Sequence, residues 1–205
     1  MKIAALLALV GSAAAFAPAQ QGRVNSAVAG KFDGELGAMA PLGFFDPLGL
    51  LADESQEQFD RLREVEIKHG RVSMLAVAGY LTTASGLRFP GCEDIPDGFA
   101  SFPALYAQGV DGQNVLGQMV AFFAVAEIVN REATWAEGVK AEFPGDYRNG
   151  AIDYGWDKLS DEDKLNKRTI ELNNGRAAQM GILGLMVHEQ LGVSILPGNY
   201  LPGVH

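Results

Sequence analysis

Two blocks of charge sit at the entrances of helices that are otherwise apolar enough for lipid, and they constrain this chain more than any other feature. The first is E-V-E-I-K-H-G-R, residues 64–71, which runs directly into V-S-M-L-A-V-A-G-Y-L. The second is I-E-L-N-N-G-R, residues 170–176, followed by A-A-Q-M-G-I-L-G-L. Ionisable groups at the start of a membrane span are costly and are functional suspects by default. Both blocks read Glu-x-x-(His/Asn)-Gly-Arg, so the chain contains an internal repeat.

Setting Glu66 against Glu171 and Gly70 against Gly175 also brings Arg63 onto Arg168, His69 onto Asn174, Arg71 onto Arg176 and Gly79 onto Gly184. With one apolar helix between them, the two repeats cross a membrane in the same direction, and parallel repeats of this kind are related by an axis along the membrane normal. The helices are expected to cross at that axis, where Ala76, Gly79, Gly181 and Gly184 permit close approach. Within each repeat the glutamate and arginine are five residues apart, about 140° around a helix. Side chains pair well at spacings of three or four, not five. The expected pairs therefore run across the crossing, Glu66 with Arg176 and Glu171 with Arg71, so that each buried charge is compensated.

The expected fold is an all-α membrane protein with three transmembrane helices, the first and third long, crossing and related by pseudo-two-fold symmetry. The spans are placed at about 57–83, 114–131 and 163–191. Asp53 or Ser55 caps the first, and Gly86 and Pro90 end it; Asp161 or Asp163 caps the third. A short helix is expected near 104–108. The segment P-L-G-F-F-D-P-L-G-L before the first span is punctuated by proline and glycine and reads as ordered turn. The formal net charge of −9 excludes nucleic acid as a partner. The single cysteine, Cys92, excludes an internal disulfide and a cysteine-rich metal site.

Residues 1–15 have the layout of a signal peptide, with Lys2, a short apolar run and Ala13-Ala14-Ala15. Residues 16–30 carry Arg23 and no acid, and Lys31 follows, as in an organelle transit peptide. Joined through Phe16, the two form a bipartite leader suited to a plastid with extra membranes. The mature single domain, 31–205, then starts near Gly30. The connection 85–113 holds only Arg88 as a basic residue, and nothing after Arg176 is Lys or Arg. The positive-inside rule puts the other, basic side where import begins, and three spans put the C-terminus on the side opposite the mature N-terminus. In a plastid thylakoid the C-terminus is then expected to be lumenal and the mature N-terminus stromal.

A carboxylate paired with arginine retains donor capacity, and His69 and Asn174 follow their glutamates at three residues, on nearly the same face. Glu, His, Asn and Gln each offer one donor to a hard or borderline metal. They look like one ligand per metal, repeated, which suits a metal already held by a macrocycle, such as the magnesium of chlorophyll.

The repeat E-x-x-H-G-R-x-S-M-L with E-x-x-N-G-R-x-A-Q-M-G resembles the light-harvesting chlorophyll-binding proteins. The segments G-F-F-D-P-L-G-L, F-D-R-L-R-E-V-E-I-K-H-G-R, D-Y-R-N-G-A-I-D-Y-G-W-D and A-A-Q-M-G-I-L-G-L-M-V-H-E-Q-L-G are similar to the fucoxanthin–chlorophyll a/c branch, as in diatoms. The resemblance implies chlorophyll a, chlorophyll c, fucoxanthin and a diadinoxanthin-type xanthophyll as cofactors. It implies a thylakoid location, oligomers with related antenna proteins, and excitation transfer to a photosystem core. Carried over residue by residue, the axial magnesium ligands fall on Glu66, His69, Glu171, Asn174 and His188. Gln118 and Glu127 follow in the middle helix, nine apart where plant relatives have eight. Plant relatives also carry a short amphipathic helix after the third span; here Pro197 and Pro202 leave no room for it. Lys68 is expected to snorkel, Phe122 and Phe123 to pack on lipid or pigment, and Asp46 and Asp157 to hold a carotenoid at the loops. A photoprotective quenching member of the family, with Glu93, Asp94 and Asp97 as lumenal acids, is the alternative reading. A small ion or proton carrier is the remote one. None of these readings is an enzyme.

Overall fold

The computed structural model describes residues 32–51, 55–129, 141–148 and 155–196. The two leader segments, Asp53, Arg131, Pro197 and Pro202 lie outside the described residues. Four α-helices carry the described chain, with no strand among those residues: α1 Gln56–Ala84, α2 Ser101–Ala107, α3 Val110–Val129 and α4 Asp161–Leu191. Single 3-10 turns, Gly98–Ala100 and Trp156–Lys158, precede α2 and α4.

The long helices begin where side-chain oxygens satisfy open backbone amides. Ser55 caps α1 by accepting from the Gln58 amide at 3.5 Å. At α4 the cap is Ser160, which accepts from the Asp163 amide at 3.2 Å. Asp161 and Asp163, expected as caps, lie instead in the first turn with Glu162, where their charges favour the positive end of the helix dipole. Gly192 stops α4 in the left-handed conformation at φ 67°. The short helix is longer than its expected 104–108, and α3 starts four residues before Asn114. Gly109, at φ 83°, reverses the chain between α2 and α3. Gly112 lets the two helices meet, since a Cβ there would lie 1.8 Å from the Leu105 carbonyl oxygen.

The core is the contact between α1 and α4. The helices touch backbone to backbone at Gly70 and Gly175: a Cβ on Gly70 would lie 2.9 Å from the Gly175 Cα. The close approach is therefore not at Gly79 and Gly184, whose faces are open. Past Gly70, Ala76 and Gly79 are exposed. Ile67, Gly70 and Tyr80 are buried on α1, and Leu172, Gly175 and Leu185 on α4. The three pairs share the sequence offset that relates Glu66 to Glu171. At the loop end Phe32 is buried against Phe59, the rings stacked with centroids 4.5 Å apart.

Beyond this seam little is covered. Among the described residues α3 is the one helix long and apolar enough to cross a membrane, and almost all of it is exposed. Leu75, Phe122, Phe123 and Met180 stand out from the helices into open space. The charged first halves of α1 and α4 lower their average apolarity below that of a plain membrane span, although 29 and 31 residues give them ample length.

Candidate functional site

At the crossing, two arginines each reach over to the other helix. Arg71 Nε donates to Glu171 Oε1 at 2.7 Å, and Arg176 Nε donates to Glu66 Oε1 at 2.6 Å. Each guanidinium then donates to a loop carbonyl. Arg176 Nη1 reaches the Gly37 oxygen and Arg71 Nη1 the Gly145 oxygen, both at 2.9 Å. Both glycines have positive φ, 95° and 84°. A Cβ at Gly37 would meet Leu172 Cδ2 at 2.5 Å, and one at Gly145 would meet Ile67 Cγ2 at 3.1 Å. The loop before each long helix is thus clamped onto the arginine of the other. Nothing in the spacing of Glu and Arg announces these carbonyls, and each glycine is one of several in the loop before its helix.

The two halves differ in one respect. Glu66 has a second cation, Arg63, whose Nη1 donates to Oε2 at 2.6 Å. Arg168, which occupies the matching place, lies over the Phe143 ring at 4.2 Å instead. Glu66 therefore has both oxygens engaged by arginine, whereas a guanidinium engages Glu171 at one.

His69 lies exposed beside the crossing, and its Nδ1 is 2.8 Å from the Val65 carbonyl. A carbonyl only accepts, so Nδ1 carries the proton and the Nε2 lone pair faces outward as a donor to a metal. Asn174 is likewise exposed. His188 is half-buried, and its Nδ1 is enclosed without a hydrogen-bond partner among the described residues. Gln118 is exposed on α3. Glu127, also exposed, forms an ion pair with Lys68. Lys68 thus ties α1 to α3 rather than snorkelling alone. Among the described residues no three of His, Cys, Asp and Glu converge on one point. His69, Asn174 and Gln118 stand singly on the uncovered flanks of the helices, whereas Glu66 and Glu171 lie in the crossing and Glu127 is paired with Lys68.

Two loop clusters bracket the crossing. Asp46 accepts from the Leu50 and Leu51 amides at 3.0 and 2.9 Å, which orders the turn ahead of α1. Those amides, Leu51 foremost, hold its carboxyl below the usual carboxylate range. The turn walls an apolar cavity of about 730 Å³ that reaches Arg63, Glu66 and Arg176. Before α4, Arg148 clamps Asp146 through two bonds of 2.7 Å and reaches Glu142 at 3.0 Å. Trp156 Nε1 also donates to Glu142 at 3.0 Å. The Arg148 bonds, helped by the Glu142 and Arg148 amides, bring the buried Asp146 carboxyl down to about 2 and push the guanidinium up. Asp157 lies 3.7 Å from Arg148 and is largely exposed.

On the other side of the crossing, Glu189 accepts from the Tyr80 hydroxyl and from the Phe99 amide, each at 2.8 Å. This fastens the 85–113 connection to both long helices. Asp97 in that connection is buried against Arg88. The Glu189 latch was not expected from sequence; an acid one residue beyond a histidine carries no pattern of its own.

The family profile described as Chlorophyll A-B binding protein matches residues 30–190. Fucoxanthin-chlorophyll a-c binding protein A, chloroplastic, of Phaeodactylum tricornutum is 54% identical to the chain, over 96% of the chain and all of the relative. The protein B of that organism is 56% identical over 97% of the chain and all of the relative. The counterpart from Trieres chinensis is 55% identical over 95% of the chain and 97% of the relative.

Proposed function

Since the chain belongs to the chlorophyll a-b binding protein family, we propose that it is a light-harvesting antenna scaffold that binds chlorophylls a and c with fucoxanthin. The observation that carries this reading is the near full-length identity to relatives named as fucoxanthin-chlorophyll a-c binding proteins. The geometry fits such cargo. His69, Asn174 and Gln118 stand outward and singly, large apolar side chains flank the helices, and the seam buries few of the described apolar residues. The pigments supply light absorption and excitation transfer. The chain holds them at fixed separations and keeps them dry.

In this reading His69 Nε2, Asn174 and His188 each take one magnesium. Glu66 and Glu171 do so with lone pairs left over from their arginines, and Gln118 and Glu127 do so on α3. The charge on Lys68 compensates Glu127 as the arginines compensate the other two. The Asp46 turn and the Trp156–Asp157 turn receive carotenoid ends; a diadinoxanthin-type xanthophyll joins fucoxanthin there. The long α1 and α4 cross the membrane beside α3 as a pseudo-two-fold pair. The matched buried positions and the two loop clamps support this symmetry. The basic ends of α1 and α4 place the mature N-terminus in the stroma and the C-terminus in the thylakoid lumen. The leader is removed in two steps, after about residues 15 and 30. The complex acts by binding, not by catalysis. It assembles with related antenna proteins and delivers energy to a photosystem core.

The test is a fluorescence excitation spectrum of protein refolded with the pigment mixture. Excitation into the carotenoid band should produce chlorophyll a emission. Co-purifying pigment without that transfer would reject the antenna reading.

A further inference from the structure

The two carboxylates at the crossing are occupied unequally. Glu66 accepts from Arg176 Nε at Oε1 and from Arg63 Nη1 at Oε2, each at 2.6 Å. Glu171 accepts from Arg71 Nε at Oε1, at 2.7 Å, and among the described residues its Oε2 has no hydrogen-bond partner. The Glu66 cluster therefore has a cation in excess, whereas the Glu171 pair is balanced. The repeat offers Arg168 to Glu171 at the same three-residue spacing, but that guanidinium lies over the Phe143 ring instead, at 4.2 Å. Arg63 is held firmly in its place. Its side chain is only 10% exposed, and its guanidinium lies over the ring of Phe59, which is itself stacked on the buried Phe32.

We propose that Arg63 makes Glu66 the weaker of the two repeat-related magnesium ligands, so that one chlorophyll at the crossing is exchangeable and its counterpart on Glu171 is held fast. An oxygen that already accepts a charge-assisted hydrogen bond has less electron density to give a metal. A cation beside that oxygen also opposes the electropositive magnesium. Neutralising the buried charge does not require Arg63, because Arg176 already does this for Glu66 as Arg71 does for Glu171. Arg63 acts on the pigment through Glu66, as a positioning residue that fixes Oε2 and draws charge from it. The inequality rests on both glutamates being magnesium ligands, as proposed above.

The experiment follows pigment loss from the pigment-loaded protein after dilution into excess detergent, by absorption and by pigment extraction. Two double variants, Glu66→Leu with Arg176→Leu and Glu171→Leu with Arg71→Leu, each lack one ligand and mark its chlorophyll by difference spectrum. In the parent protein the Glu66 chlorophyll should leave first. Arg63→Gln removes the second cation and leaves Glu66 bonded to Arg176. It should slow the loss of that chlorophyll about fivefold or more, on the scale of one hydrogen bond, and leave the Glu171 chlorophyll unchanged. A residue that merely packed would do the opposite, since its removal loosens the site. Arg63→Lys keeps a charge beside Oε2 and should lose the chlorophyll nearly as fast as the parent. Arg168→Gln removes the counterpart that makes no bond to Glu171, and it should change neither rate. Simultaneous loss of the two chlorophylls from the parent overturns the inequality, and so does unchanged or faster loss from Arg63→Gln. The order of loss in the parent needs no Arg63 variant, so it decides the matter even where Arg63→Gln fails to refold. A full chlorophyll complement in the Glu66 double variant overturns the ligand reading itself, and the proposal with it.

Discussion

Arg176 and Glu66 are bonded across the helix crossing at 2.6 Å, and Glu66 is bonded a second time by Arg63. The matching pair, Arg71 and Glu171, has no third member, because Arg168 stacks on Phe143. The two pairs should therefore respond differently to loss of the arginine. Arg71→Leu leaves Glu171 half-buried without a cation and should destabilise on the order of 3–5 kcal/mol. Arg176→Leu leaves Glu66 with Arg63 and should cost less. The double change Glu171→Leu with Arg71→Leu should fold better than Arg71→Leu alone, because no stranded charge remains. Thermal melts of the refolded variants decide it. Equal losses from the two arginine variants would show that Arg63 does not share the load.

Which glycines matter follows from the same geometry. Gly70→Ala forces a Cβ to within 2.9 Å of the Gly175 backbone, and neither helix axis can yield without opening the seam. We expect a loss of about 1–3 kcal/mol, as for other overpacked contacts. Gly79→Ala meets nothing within 4 Å. It should be neutral or gain about 0.5–1 kcal/mol from helix propensity in pigment-free detergent. Helical circular dichroism against temperature distinguishes the two.

The repeat made much of this site legible in advance. Five-residue spacing makes Arg71 a poor partner for Glu66 within α1 and pointed to Arg176, although Arg63, three residues before Glu66, was overlooked. The location of the crossing was less legible, since Gly70, Gly79, Gly181 and Gly184 are all small and only the packed structure selects Gly70. The carbonyls of Gly37 and Gly145 were not legible, because a backbone acceptor leaves no mark on residue identity. The Lys68–Glu127 pair was missed for a similar reason. Its members are far apart in sequence, and each alone suits a solvated helix end.

Asp146 gives the loop cluster a pH dependence. Its folded carboxyl titrates at about 2, below the ordinary carboxylate value near 3.9. A depressed group contributes stability above its unfolded pKa and loses it as pH falls through the folded one. The contribution, about 2 kcal/mol, should be intact at pH 5 and fade between pH 4 and 2. Asp146→Asn should lower the melting temperature at pH 6 and flatten its fall in acid. If the parent and Asp146→Asn lose stability in parallel from pH 4 to 2, Asp146 does not carry the acid sensitivity.

Pigment should decide whether the chain folds at all. The long helices share one seam, and α3 is almost wholly uncovered. Ligands that bind only the folded state stabilise it by mass action. Protein refolded in detergent with chlorophylls and carotenoid should melt well above protein refolded without them. Coincident melts would mean that the helix seam suffices.

His69 and His188 should then separate ligation from packing. The proton on His69 Nδ1 is fixed by the Val65 carbonyl, which leaves Nε2 as a lone-pair donor directed away from the helix. His69→Leu removes that donor and strands only a carbonyl that its own helix already satisfies. It should lose one chlorophyll with little loss of helical stability, and His69→Gln should recover part of the pigment. At His188 the enclosed Nδ1 has no partner among the described residues, so the ring carries a cost in the folded chain whether or not its other nitrogen holds a pigment. His188→Leu should therefore melt no lower than the parent in pigment-free detergent, yet lose a chlorophyll on reconstitution. Pigment extraction gives the stoichiometry, and circular dichroism gives the melt. A full chlorophyll complement in His69→Leu would make that histidine a surface residue, and a lower pigment-free melt in His188→Leu would make His188 a packing residue rather than a ligand.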